Sequence, residues 1–391
     1  SWFIRTTALR DRMIELNRTI HWKPESTGSG RFGKWLEGLV DWNLSRSRFW
    51  GTPLPIWATE DYSELKCIGS VAELMEEIDK SIAAGNMTEN PYKNFRVGDM
   101  SAENCSTERI DLHRPYVDSI VLTSSKGEPM RRESDLIDVW FDSGAMPYAQ
   151  IHYPFEHSET FDKVFPADFI AEGVDQTRGW FFTLHAIATM LFDSVAFRNI
   201  ISNGLVLDKN GNKMSKRLGN AVDPFEILST YGADATRWYM ISNSQPWDNL
   251  KFDRRKFFGT LYNTYSFFAL YANVDGFTGK EPEIPVSERP EIDCWIISLL
   301  NTLIKDVTRY LDDYDPTPAA RAIQDFVGEN LSNWYVRLNR KRFWGGGMSD
   351  DKLAAYQTLY TCLETVSMLA APFAPFITDR ISVSYTHLTL P

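Results

Sequence analysis

The sequence has 391 residues, room for two or three domains with their own cores, and its 43% apolar and 24% charged content is that of an ordinary globular chain rather than a disordered one. A formal net charge of −11 excludes a uniformly basic nucleic-acid binder but leaves room for a local basic face. No apolar run is long enough to span a bilayer, no secretory leader pattern opens the sequence, and Cys67, Cys105, Cys294 and Cys362 form no C-x-x-C pair, which argues against a zinc ribbon and suits a reducing, cytoplasmic setting.

Four zones follow in chain order. Residues 1–60 are rich in Trp and Arg, open in a strand-like "SWFIRTT", and contain "GRFGKWLEGLVDWNLSRSRFWGTPLPIW". Residues 61–135 read as a small α+β insertion, with a short helix in "SVAELMEEIDKSIAAG" and a strand pair around "YVDSIVLTSSKGEPMRR". From 136 to 253 strand and helix signals alternate. "DFIAEG" is a strand, "TRGWFFTLHAIATMLF" a helix and "NIISNGLVL" a buried strand, with helices in "DPFEILSTYG" and "ADATRWYMIS" after it. Strand, crossover helix and second strand in that order predict a parallel, doubly wound sheet.

From 254 to 381 the periodicity is helical throughout. Apolar stripes recur at Phe257, Phe258, Leu261, Tyr262 and Tyr265, and at Trp295, Leu299, Leu300, Leu303, Val307 and Leu311. A third comprises Ile323, Phe326, Val327, Leu331, Trp334 and Leu338, and a fourth Leu353, Tyr356, Leu359, Tyr360, Leu363 and Val366, with Ser349 as its N-cap. Four such helices predict a bundle with aromatic stripes as its core. The fold class expected is α/β plus all-α. The ending "SVSYTHLTLP" leaves the helical pattern, so residues 382–391 read as a tail outside the fold.

Within this acidic chain, "NGNKMSKRLGN" (residues 210–220) gathers Lys213, Lys216 and Arg217 between two glycines. It leaves a strand at the carboxyl edge of the predicted sheet, where open α/β sheets bind ligands. A solvated charged turn is the plain alternative. The loop is not a Walker A motif, and no G-x-G-x-x-G occurs, which argues against a dinucleotide cofactor. Mobile lysines on a glycine-flanked turn suit contact with phosphate oxygens.

Lys213-Met214-Ser215-Lys216-Arg217 resembles the KMSKS signature of the class I aminoacyl-tRNA synthetases. "AEGVDQTRGWFF" (171–182), "DVWFDSGAMPYAQ" (138–150) and "DWNLSRSRFWGTPLPIW" (41–57) are similar, in order and spacing, to the Ile/Val/Leu subgroup. "RFWGTPLPIW" and "SNSQPWDNLKFD" look isoleucyl rather than valyl or leucyl. The likeness runs from residue 1 to about 380. It implies the second half of a Rossmann-type catalytic domain, followed by an anticodon-binding helical domain.

The resemblance also implies roles. Lys213 and Lys216, with Met214 and Ser215, would hold the ATP phosphates, Lys216 most directly, and Asn203 and Gly204 would meet adenine. Glu172 and Gly173 would contact the aminoacyl-adenylate, Asp175 the ribose hydroxyls and Gln176 the amino-acid end. Trp50 and Trp180 would wall the isoleucine side-chain pocket, unless they are core aromatics. Arg337, Arg340, Lys341 and Arg342 in "NWYVRLNRKRFW" would touch the tRNA stem through phosphates, unless they form a solvated basic face.

The implied reaction joins L-isoleucine to AMP from ATP with Mg2+ and transfers it to tRNA(Ile), in a monomeric cytoplasmic ligase. A valyl or leucyl enzyme and a non-catalytic tRNA-binding module are the alternatives. Two departures matter. None of the six histidines (His21, His113, His152, His157, His185, His387) stands in an HIGH setting, a motif expected upstream with most of the valine-editing insertion. The piece alone is therefore expected to be inactive and, with half a sheet exposed, poorly soluble. At "LTSSKGEPMRR", Ser124 and Gly127 stand where some relatives carry a metal-binding cysteine pair, so no zinc is expected there. The expected divisions are 1–60, 61–135, 136–253, 254–381 and 382–391.

Overall fold

The most apolar stretch of the sequence, Trp180–Phe192, is a helix whose residues Phe181 to Thr189 are all buried. A helix apolar on every side needs cover on every side. One side packs against Met13, Leu16, Trp22, Phe32 and Leu36, and the other, at Ile187, against Trp42, Tyr148 and Phe161. A computed structural model describes residues 1–208, 210–215, 217, 219–251 and 258–387. The chain divides into two compact units, Ser1–Ile170 with Asp175–Ile200, and Ala171–Val174 with Ile201–Pro391.

The Trp180–Phe192 helix of the first unit joins strands Ala167–Gly173 and Phe197–Asn203, whose last three residues are in each case counted with the second unit, and the strands pair in a sheet of order Ala167–Gly173, Phe197–Asn203, His21–Lys23. The N–H of Ala167 donates to the Ala196 carbonyl at 2.9 Å, so the first two strands begin together and run parallel, as the sequence predicts.

The insertion builds a four-stranded antiparallel sheet, Leu65–Cys67, Ile56–Ala58, Pro129–Arg132 and Val121–Thr123 in spatial order. Its helix, Val71–Ala83, is capped by Ser70, whose Oγ accepts the Glu73 N–H at 3.1 Å while Glu73 accepts the Gly69 N–H at 2.7 Å. Trp57, Ile68, Leu74, Ile78, Leu122 and Met130 form its core. The expected strand pair therefore gains two partners, and one of them, Ile56–Ala58, precedes residue 61.

In the second unit the stretch read as one strand, "NIISNGLVL", breaks at Gly204. A Cβ there would lie 2.3 Å from the Asp248 carbonyl oxygen, and the Gly204 N–H donates to Pro246 O at 2.9 Å. Only glycine allows this approach. The chain resumes as Val206–Leu207, paired parallel with Leu250–Lys251. Helices Pro224–Tyr231, capped by Asp223, and Ala233–Asn243 follow.

The helical part contains Phe258–Asp275, Glu291–Asp312, a run made of Pro316–Asp325, Phe326–Val336 and Arg337–Trp344, then Asp350–Ala370 and Pro375–His387. Ser349 caps Asp350–Ala370 by accepting the Lys352 N–H at 3.2 Å, as its sequence suggests. Three expectations need correction. The final helix continues through His387, past the point where the periodicity breaks. The third stripe turns at Trp334, because Phe326–Val336 is π-helical and its wider turn takes one more residue to return to the same face. Tyr335, Asn339 and Phe343 point inward instead, and Trp334 and Leu338 are exposed. Of the first and second stripes, Tyr262 and Trp295 are exposed rather than core, because the neighbouring Leu261 and Ile296 take the buried face, and Phe257 lies outside the described residues.

Candidate active site

Each unit carries part of the predicted constellation. In the first unit, Trp180 opens the buried helix and is fixed at two points. Its backbone N–H donates to Gln176 Oε1 at 3.0 Å, and its indole Nε1 donates to the Ser143 carbonyl at 2.9 Å. Gln176 thus caps an otherwise unsatisfied helix N–H, and its amide lies 3.4 Å from Asp175 Oδ2. A Cβ on Gly179 would sit 2.7 Å from Gln176 Oε1, so the glycine makes room for this cap. Ser143 belongs to the short helix Val139–Gly144, whose cap Asp138 accepts Trp140 N–H, Trp42 Nε1 at 3.0 Å and Arg46 Nη2 at 2.6 Å. Nearby, Asp142 accepts the Thr52 hydroxyl at 3.1 Å, and burial, with the Asp138 charge, raises its carboxyl above the ordinary range. Trp50 is 72% exposed and lies flat on His113, with centroids 4.9 Å apart and planes 2° apart.

The second unit holds Glu172 and Gly173, both half-buried at the end of their strand, Asn203 and Gly204, and the lysine loop. Lys213 forms a backbone bridge to Leu207, so the loop doubles back on the strand it leaves. Asp208 and Asn220 organise it. Asp208 Oδ1 accepts the N–H groups of Asn210 and Asn212 at 2.9 and 2.8 Å. The Asn220 amide donates to Asp208 Oδ2 at 3.0 Å and to the Lys213 carbonyl at 3.2 Å, and its oxygen accepts the Ser215 N–H at 2.9 Å. The Asn212 N–H, then the Asn220 amide, hold the Asp208 carboxyl below the usual carboxylate range. Met214 and Ser215 are half-buried inside the turn, and Lys213 and Arg217 are exposed. Lys216 lies outside the described residues.

On the helical run, Arg337, Arg340 and Lys341 are exposed. Arg342 is not a surface cation. It pairs with fully buried Asp293 at 2.7 and 2.9 Å and with Asp351 at 3.0 Å, so its charge is taken up inside the bundle.

Sequence reading passed over Asp208, Asn220 and His113. The pattern D-x-N-G-N at 208–212 is an Asx-turn signal and identified that half of the loop clasp in principle. Nothing local marks His113, whose partner is 63 residues earlier in the chain.

The sequence profile of the class I tRNA synthetases (I, L, M and V) matches residues 1–253, and that of the anticodon-binding domain of tRNA ligases matches 293–388. The chain belongs to the class I tRNA synthetases. Within that family it is 71% identical, over 97% of its length, to the isoleucine–tRNA ligase of Bacteroides fragilis, covering 34% of that protein. It is 50% identical to the isoleucine–tRNA ligase of Clostridium acetobutylicum, over 97% of its length and 35% of that protein. The chain thus spans about a third of the length of these curated relatives. Among solved structures, Mycobacterium tuberculosis methionyl-tRNA synthetase in complex with methionyl-adenylate shares the fold, with a TM-score of 0.66 at 17% identity over 97% of this chain and 62% of that one. The ternary LeuRS–tRNA–LeuAMS complex of Agrobacterium radiobacter gives 0.63 at 20% identity over 89% of this chain and 40% of that one.

Proposed function

We propose that the chain supplies the lysine-loop part of the catalytic domain, and the adjoining anticodon-side helices, of an isoleucine–tRNA ligase. In the first step the isoleucine carboxylate attacks the α-phosphorus of ATP, which enters as its magnesium complex. A carboxyl–phosphate bond forms, the bond to the bridging oxygen breaks, and pyrophosphate leaves. Negative charge grows on the leaving phosphates, and cations placed there stabilise the transition state more than the ground state. Lys213 and Lys216 have this task, with Met214 and Ser215 shaping the turn and Asn203 and Gly204 beside the adenine. Glu172, Gly173, Asp175 and Gln176 bind the polar parts of the adenylate, and Trp50 and Trp180 wall its alkyl chain. In the second step the acyl group passes to tRNA(Ile), with Arg337, Arg340 and Lys341 against stem phosphates.

The observation that carries the reading is the Asp208–Asn220 clasp, which holds the Lys213–Ser215 backbone in a defined turn while the Lys213 side chain stays exposed. We place no zinc at the insertion's hairpin turn, where Ser124 Oγ already accepts the N–H groups of Lys126 and Glu128 at 3.2 and 3.0 Å. Four free thiols suit a reducing cytoplasm.

The test is isoleucine-dependent ATP–pyrophosphate exchange by the Bacteroides fragilis ligase carrying this chain in place of its own corresponding third. Exchange with isoleucine well above that with valine or leucine is expected. Preference for valine or leucine, or no exchange, overturns the assignment.

A further inference from the structure

Residues Asp111 to Arg114 of the insertion grip three consecutive residues of the segment that carries Trp50. The His113 ring stacks on the Trp50 indole. The Arg114 guanidinium stands 5.6 Å over the Phe49 ring, and its Nη1 donates to the Arg48 carbonyl at 3.2 Å. The grip is itself anchored. Asp111 Oδ1 accepts both the His113 N–H and its Nδ1–H at 2.9 Å, which fixes the ring plane. Asp118 accepts Arg114 Nε at 2.7 Å and also holds Arg132, whose Nη1 reaches the carbonyls of Leu54 and Asp135 at 3.1 Å.

Trp50 is 72% exposed, so little of its ring is confined by core packing. An exposed indole samples several rotamers, and a stacked partner selects one of them. We propose that His113 is a positioning residue for Trp50, so that the insertion sets the place of one wall of the side-chain pocket and thereby the preference for isoleucine over smaller branched amino acids. The inference rests on the functional reading above, in which Trp50 is that wall. His113 acts through Trp50 and through ground-state binding, so its loss falls on KM rather than on kcat.

The test uses the same full-length chimera. His113→Ala is expected to raise the KM for isoleucine about 3- to 10-fold, the scale of one aromatic stack. It should leave kcat within about 2-fold and narrow the isoleucine-to-valine ratio of kcat/KM. His113→Phe, which keeps a flat ring, should restore both. An active chimera whose KM and ratio ignore His113→Ala overturns the role of His113 alone. So does a variant that loses kcat and thermal stability together without rescue by His113→Phe. An unaltered chimera with no isoleucine-dependent exchange overturns the functional reading, and this inference with it.

Discussion

Arg342 lays both terminal guanidinium nitrogens on the carboxylate of Asp293, at 2.7 and 2.9 Å, in a site with no solvent exposure of Asp293. The Tyr335 hydroxyl donates to the same carboxylate at 2.7 Å, and burial, with the Asp293 charge, pushes the Tyr335 phenol well above its ordinary range. This network ties the N-terminus of helix Glu291–Asp312 to helix Arg337–Trp344. Removing one member of a buried pair costs more than the pair contributes, because the other charge is stranded. Arg342→Met should therefore lower unfolding stability by about 3–5 kcal/mol. Asp293→Asn should cost less, since Arg342 keeps Asp351 and a route to solvent. Urea unfolding of the two variants measures the asymmetry.

With Arg342 held inward, the basic face of that helix reduces to Arg337, Arg340 and Lys341. Beside them, Trp334 and Trp344 are 58% and 56% exposed. If these cations meet tRNA phosphates, replacing each by alanine should lower the salt slope of tRNA binding by roughly 0.7–0.9. Arg342→Ala should leave the slope alone. Affinity of the chimera for tRNA(Ile) between 50 and 200 mM salt, roughly the range in which such slopes are read, checks this.

The parallel strand pair and its buried helix were legible because their signals are local. Apolar runs of the right length flank a helix with no polar face, and Ser349 announces its cap. The break at Gly204 was not legible, since it depends on Asp248, which comes 44 residues later. The inward turn of Tyr335 in place of Trp334 also escaped a 3.6-residue period, which assumes an α-helix through a stretch that is π-helical. At the site, Lys213 and Gln176 could be named from a motif. The partners that fix them, Asn220 and the Trp180 N–H, became visible only in three dimensions. Arg342 shows the opposite error, a basic residue read as surface because its acid lies 49 residues away.

His185 gives the first unit a pH dependence. It is fully buried in the Trp180–Phe192 helix, its Nε2–H donates to the Met13 carbonyl at 2.8 Å, and burial pushes its imidazole from 6.5 down to about 4. The unfolded chain therefore takes up the proton first. The full contribution is present above pH 6.5 and falls as pH drops toward 4, by about 3 kcal/mol in all. His185→Gln, which keeps a donor for Met13, should flatten the melting temperature between pH 7 and 5, roughly the window above the carboxylate range. A slope equal to that of the unaltered chain would show that other groups carry it.

Asn220 is the remaining test of the lysine loop, and it separates placement from charge. Its side chain joins Asp208, the Lys213 carbonyl and the Ser215 N–H, yet carries no charge. Lys216→Ala removes a cation expected on the leaving phosphates, so adenylate formation should slow by about 10²–10³-fold with little change in isoleucine KM. Asn220→Ala keeps every cation and loosens the turn. Misplacement of a reacting geometry by about 1 Å costs up to about 10²-fold, so its loss should also fall on kcat. If Asn220 acts through the lysines, the two losses cannot add: in a Lys213→Ala/Lys216→Ala background, Asn220→Ala should have almost no further effect. Additive losses in exchange kcat would mean that Asn220 serves the reaction, or the fold, by a route that bypasses the lysines.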